Sequence, residues 1–449
     1  MSDPSAPALP NSPRRFLSTS AGYLAIPLAA AITAPILAQN LGVAERGELS
    51  AVTAPFLLFS VLATGGLPEA TTHFVAGRRL TIGNVLRAEA LAVTVLSLLA
   101  GGATLLLAPI LAAKNADVEA LLALSVAFLP PALLATLFRG LAGALGRWRL
   151  VNLERCLTAA LRLGSIVVLA LLGHLSVTTA AVSIFGSQAV ALLVYLSLRG
   201  STGTATRQVP FREVSAYAGR QWVGGVSGIL LVRLDQVLIA PLAGVFQLGL
   251  YAVAVNVGDL LLVVNSAVRD ISFAEQSRKA DDLGLARSAR MSFAISVLMG
   301  LILAATLPLW LAALFGAEFN SALAPAEVIL LAAVLGVPGS IAGAGLAAHG
   351  QPGLRSISLV VAAAANIGAM LLLIPSFGAM GAAIATLLGN MLASNLNIWF
   401  LLRARARSGL RVGDFYAIRA ADVREMVRVS KALAPTAGRA FSRFNRRSD

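Results

Sequence analysis

Residues 356–402 read SISLVVAAAANIGAMLLLIPSFGAMGAAIATLLGNMLASNLNIWFLL and carry no Asp, Glu, Lys or Arg. One membrane crossing takes roughly 20 mostly apolar residues, so this run is too long for one. Its only break is Pro375-Ser376-Phe377-Gly378. The stretch therefore fits two transmembrane helices joined by a tight turn. Barrel strands do not fit, because they alternate polarity over about 10 residues. Lipid also leaves an open strand edge no partner for its backbone groups.

The rest of the chain extends the pattern. Of 449 residues, 57% are apolar and only 12% are charged, against about 25% charged in a soluble domain. Mean hydropathy is +0.82. Intrinsic disorder requires low hydrophobicity, and a disulfide scaffold requires more than the single Cys156. A net charge of +14 invites a nucleic-acid reading, but that needs basic residues gathered on a soluble face. What remains is an all-α polytopic membrane protein. Twelve spans are predicted, at about 17–39, 50–76, 88–111, 120–140, 156–173, 177–198, 222–243, 249–269, 291–314, 325–348, 356–374 and 378–402. The opening Arg14-Arg15 and apolar run imitate a signal peptide, but the run exceeds a typical signal core.

Lys and Arg set the orientation. The N-terminus, the even-numbered loops and the tail after residue 402 hold thirty-one of the 35, and the odd-numbered loops hold only Arg46 and Lys114. The positive-inside rule places both termini in the cytoplasm. Arg162 and Arg233 are the two left inside spans. The tail, 403–449, holds twelve basic and four acidic residues. There Val412, Phe415, Tyr416, Ile418, Val423, Met426, Val427 and Leu433 recur at near-helical spacing. This reads as an amphipathic helix on the anionic inner leaflet or as a solvated basic tail.

An internal repeat divides the chain. Gly42, Val43 and Gly47 match Gly244, Val245 and Gly249, and Ala180-Ala181 match Ala382-Ala383, all at an offset of 202. Gly146-Arg147 and Gly350-Gln351 match at 204. The chain thus reads as a six-helix lobe over 1–200, a cytoplasmic linker over 201–221, a second six-helix lobe over 222–402 and a basic tail over 403–449. Two parallel copies related by an axis along the membrane normal imply alternating access around a central cleft.

Three stretches carry a family resemblance. They are LAQNLGVAERGELSAVTAPFLLFSVLATGGLPEATTHFVAGRR (37–79), VRLDQVLIAPLAGVFQLGLYAVAV (232–255) and SFGAMGAAIATLL (376–388). The chain resembles the polysaccharide-translocase (Wzx-type) branch of the multidrug/oligosaccharidyl-lipid/polysaccharide (MOP) flippase superfamily. The most specific signature is Arg-x-Asp in span 7 followed by Gly-x-Tyr-x-x-Ala at Gly249, Tyr251 and Ala254. The resemblance implies a MATE-like fold and flipping of undecaprenyl-diphosphate-linked oligosaccharide. Lipid II flippases of the superfamily usually have fourteen spans, whereas multidrug/cation antiporters share the count of twelve.

Charges at membrane depth are costly and mark function. Arg233 and Asp235 stand two apart on one helix, so they point about 200° from each other. One should face the cleft and the other its own lobe. Asp259 is central in span 8, Arg162 lies in the cytoplasmic third of span 5, and Glu69 follows Gly65-Gly66-Leu67-Pro68, where Pro68 should kink span 2. Arg162 and Arg233 are assigned to substrate, because guanidinium stays charged and binds phosphate oxygens in pairs. Glu69, Asp235 and Asp259 are candidates for coupling a proton or Na⁺, or for tuning the arginines. The competing reading pairs Arg233 with Asp259 and Arg162 with Glu69 or Glu154 as helix glue. Arg139 and Arg269 read as topology anchors. His73, His174 and His349 are scattered, so no metal site is expected. Without a Walker loop or a paired nucleophile, the chain is read as a transporter needing no cofactor, not an enzyme. A non-transporting scaffold acting through its basic tail is the third alternative. Sugar identity and oligomeric state have no signature in the sequence.

Overall fold

In the computed structural model, residues 13–76, 82–198, 211–278, 281–405 and 409–417 are described. The α-helices in chain order are α1 (Pro13–Leu62), α2 (Leu67–Ala76), α3 (Ile82–Leu111), α4 (Ala116–Val126), α5 (Leu129–Ala144), α6 (Trp148–Leu171), α7 (Val177–Ala191), α8 (Phe211–Ala243), α9 (Val245–Arg278), α10 (Asp282–Phe315), α11 (Leu323–Ala348), α12 (Pro352–Ala404) and α13 (Gly413–Tyr416). There is no strand among the described residues. Eight helices are long and apolar enough to cross a membrane, or nine with the bent pair α4 and α5 taken as one. Gly42 in α1 and Gly378 in α12 have non-helical backbone, with φ of 70° and 53°. Divided there, and bridged at 63–66, the helices accommodate the twelve expected spans. Exposed leucines cover α3 (Leu91, Leu98, Leu99, Leu106) and α10 (Leu298, Leu301, Leu309). Water-soluble monomers rarely show apolar surface on this scale, and lipid accounts for it.

The break in span 2 differs from expectation. The helix ends before Pro68, at residues 63–66, where Gly65 and Gly66 have φ of 57° and 71°. Pro68 lies in the first turn of α2, where its missing N–H is an orphan anyway. The glycine pair, not the proline, interrupts the helix.

The repeat landmarks adopt matched conformations. Gly42 and Gly244 are both left-handed, at 70° and 86°. Gly146 and Gly350 are likewise (68° and 77°). Each of that second pair is followed by the same closing hydrogen bond, Arg147 N–H to the Ala142 carbonyl (2.8 Å) and Gln351 N–H to that of Leu346 (2.9 Å). Ala180, Ala181, Ala382 and Ala383 are all buried.

The chain packs as two compact units. One comprises the described residues of Met1–Leu260, Leu307–Ile329 and Ala363–Thr386, and the other those of Leu261–Thr306, Leu330–Ala362 and Leu387–Asp449. In the second, Leu285, Ile341, Leu346, Ile398 and Leu401 enclose Phe415 of α13. An amphipathic tail helix would have turned Phe415 toward lipid. Instead α13 is a single turn and Phe415 is 0% exposed. Tyr416 shares a 3.1 Å hydrogen bond with Ser394, and Arg290 donates to the Asp414 carbonyl at 2.8 Å. The rest of the expected tail helix, from Ile418 on, lies outside the described residues.

Candidate substrate and coupling site

Three of the five predicted site residues, Arg233, Asp235 and Asp259, lie on α8 and α9. These helices are joined by Gly244 alone, so they form a tight hairpin. At 1.5 Å rise per residue, Asp235 lies about 12 Å below the turn on α8 and Tyr251 about 9 Å below it on α9. Their side chains meet there. The Tyr251 hydroxyl donates to the Asp235 carboxylate and also sits 3.1 Å from the Thr386 hydroxyl on α12. The Gln236 N–H donates to Asp235 at 2.7 Å. Asp235 is 2% exposed and makes no ion pair among the described residues.

Arg233 points the other way, as the 200° offset requires. Its Nη2 lies 3.6 Å from Asp259 Oδ2, and the two side chains are 26% and 40% exposed. The ion pair expected under the helix-glue reading therefore exists, yet it sits on accessible surface. Its two charges cancel, so with Asp235 ionised the cluster carries a net charge of −1.

Arg162 falls in a different group. It lies on α6, which packs along α1, the helix that carries Arg46. Expected in an outer loop, Arg46 lies instead within α1, just past the Gly42 break, and is 9% exposed. Arg46 Nη1 donates to Ser50 Oγ at 2.9 Å, while Nε of Arg46 and Nε of the half-buried Arg162 are enclosed without a hydrogen bond. Neighbouring carboxylates are engaged elsewhere. Glu45 is exposed, and Glu48 accepts from Asn115 at 2.8 Å. Glu154, one candidate partner for Arg162, holds Arg139 instead through bonds of 3.1 and 2.9 Å, with the Tyr195 hydroxyl at 3.4 Å. Arg139 thus supports the helix packing as well as standing at a span end. Glu69, the other candidate, is exposed on α2 with no ion pair among the described residues.

Two cations withdrawn from water with no ion pair among the described residues cost several kcal/mol in desolvation. An oxyanion beside them would offset that cost, and guanidinium forks match phosphate oxygens. Three participants were missed at the sequence level: Arg46, Tyr251 and Thr386. The Gly-x-Tyr-x-x-Ala signature contained Tyr251 without indicating its partner, and Thr386 carried no signal. His73 is explained by stacking on Tyr217, ring centroids 4.5 Å apart. No group of three or more metal-ligating side chains occurs among the described residues.

Comparison with known proteins is consistent with this architecture. A family profile described as "Polysaccharide biosynthesis protein" matches residues 13–270. No protein of curated function matches the chain. Among solved structures, an inward-facing multidrug resistance MATE family transporter of the MOP superfamily superposes with a TM-score of 0.65 at 16% identity, covering 87% of this chain and 98% of that one. The lipid II flippase MurJ, in an inward closed conformation, gives 0.66 at 11% identity, covering 89% and 88%. An outward-facing MATE family transporter of the MOP superfamily gives 0.57 at 18%, covering 87% and 96%. At these identities the likeness is one of fold.

Proposed function

Because the chain belongs to the polysaccharide biosynthesis protein family, we propose that it flips a diphosphate-linked oligosaccharide, carried on undecaprenol, across the bacterial inner membrane. Its fold is that of the MOP transporters and flippases. The observation that carries the substrate reading is Arg46 and Arg162, on the packed helices α1 and α6, whose Nε atoms are buried without a partner and which make no ion pair among the described residues. Arg162 holds the diphosphate, Arg46 joins it, and Arg233 supplies a further cation balanced by Asp259. A drug or cation antiporter needs an acidic cleft, and this pair has the wrong sign for one.

Transport proceeds by alternating access between the six-helix lobes 1–200 and 222–402, with both termini in the cytoplasm. No cofactor is required. Asp235, buried against Tyr251, is the group best placed to couple a proton or Na⁺. Asp259 tunes Arg233, and Glu69 has the least support of the acidic candidates. The basic tail meets the anionic inner leaflet through the residues after α13.

Replacing Arg46 or Arg162 by Ala tests the reading in a strain that depends on this gene for its surface polysaccharide. A charge-assisted hydrogen bond is worth about 1.5–3 kcal/mol, so export should fall about 10- to 100-fold. Full export by both variants, present at wild-type level in the membrane, would remove the arginines from the substrate site.

A further inference from the structure

The second compact unit holds a crevice that neither substrate binding nor coupling uses. It lies between the start of α10 and the segment leading into α13. Its volume is about 470 Å³, and its lining includes Asp281, Gly284, Arg287, Arg290, Leu410 and Asp414. Small-ligand sites run from roughly 300 to 1,000 Å³. The charged lining is two arginines and two aspartates, so the formal charges sum to zero. Both aspartates are held by the backbone. Asp281 accepts the Gly284 N–H at 2.9 Å, and Asp414 accepts the Arg411 N–H at 2.8 Å. Arg290 is 7% exposed and donates to the Asp414 carbonyl at 2.8 Å, tying α10 to the segment across the crevice. Arg287 is half-buried. It also heads an apolar stripe. Leu298 and Leu301 follow it by 11 and 14 residues, within about 20° and 40° of the same direction on the helix, and they are 61% and 64% exposed. They stand about 16 and 21 Å along α10 from Arg287, against roughly 15 Å for half the hydrocarbon core.

This arrangement suits an amphiphile that carries a phosphate, an ammonium and an acyl chain. Guanidinium forks take phosphate oxygens, and a primary ammonium offers three N–H donors to carboxylates. A choline headgroup has no N–H to give. An anionic headgroup would bring its negative charge against both aspartates without a cation to meet them. On the positive-inside reading, this end of α10 faces the cytoplasm. We propose that the crevice binds an ethanolamine phospholipid of the inner leaflet. Its phosphate meets Arg287 and Arg290, its ammonium meets Asp281 and Asp414, and an acyl chain lies along Leu298 and Leu301. Since α10 supplies three of these charged groups and the segment before α13 the fourth, the headgroup fastens that segment to the helix. The site is distinct from Arg46 and Arg162 and does not depend on the diphosphate reading.

The experiment uses the full chain in detergent. Native mass spectrometry reads the dissociation constants of phosphatidylethanolamine, phosphatidylcholine and phosphatidylglycerol with identical acyl chains. Charge-assisted hydrogen bonds change affinity by about tenfold or more, so the ethanolamine lipid should bind at least about tenfold tighter than either of the others. Asn caps a helix as well as Asp does, so Asp281→Asn leaves α10 intact. Combined with Asp414→Asn, it should bring the ethanolamine lipid down to the level of the choline lipid. Arg287→Gln should weaken both lipids by a similar factor, because they share the phosphate. Equal binding of the three headgroups overturns the proposal. So does an ethanolamine preference that the Asp281→Asn, Asp414→Asn protein retains, since the lipid then sits elsewhere. If a variant misfolds, a photoactivatable ethanolamine lipid on the unaltered chain decides. Crosslinks to 281–290 and 409–414 support the site, and crosslinks confined to other segments overturn it. Displacement of the bound phospholipid by an equal concentration of farnesyl diphosphate overturns the phospholipid in favour of a polyprenyl carrier.

Discussion

Asp235 shows how far single residues could be read. The two-residue spacing from Arg233 already required opposite faces, because the helix turns about 100° per residue. The structure places Asp235 inside and Arg233 at the accessible surface. What the spacing did not disclose was the partner, because Tyr251 comes from the next helix and is brought to Asp235 by the α8–α9 hairpin. Tyr251→Phe leaves the carboxylate only the Gln236 N–H as donor. It should cost about 1–3 kcal/mol, measured as a drop in thermal stability in detergent. Asp259→Asn tests the balancing of Arg233. An accessible ion pair is worth about 0.2–1 kcal/mol, so freeing Arg233 should tighten pyrophosphate binding by up to about fivefold, read by calorimetry. Arg46 was the least legible residue. Glu45, Arg46 and Glu48 look like a polar loop when read in line, and only tertiary packing buries the arginine while Glu45 stays exposed.

At the scale of elements, breaks were easier to locate than to explain. The uncharged run 356–402 announced its own turn, and the chain does turn at Gly378, where the Ala379 N–H is capped by Gln247 at 3.0 Å. In span 2 the proline drew attention, yet the adjacent glycines make the break, since a proline in a first turn disturbs nothing. The tail shows the limit of periodicity. An apolar stripe predicts a buried face without saying whether lipid or protein buries it, and for Phe415 the answer is protein. Phe415→Ala should therefore lower stability by about 3–5 kcal/mol. Thermal unfolding in lipid-free detergent checks this, because a residue anchored only in lipid would show no loss there.

For the whole molecule, composition and continuous apolar runs carried most of the fold. Few charges exclude a soluble core, continuous apolar runs dictate helices, and matched glycines announce a repeat. Those glycines proved to have left-handed backbone at Gly42 and Gly244 and to let the chain cross closely at Gly47 and Gly249, which no count of small residues reveals. The substrate depends on where cations remain unbalanced, and that is a property of packing. It left only a trace in the sequence, at Arg162. The most direct test of the account is to deplete the protein in its own cells and extract the lipids. The account predicts accumulation of a diphosphate-linked oligosaccharide on a polyprenyl chain, exposed on the cytoplasmic face. Loss of surface polysaccharide with no such lipid accumulating would contradict it.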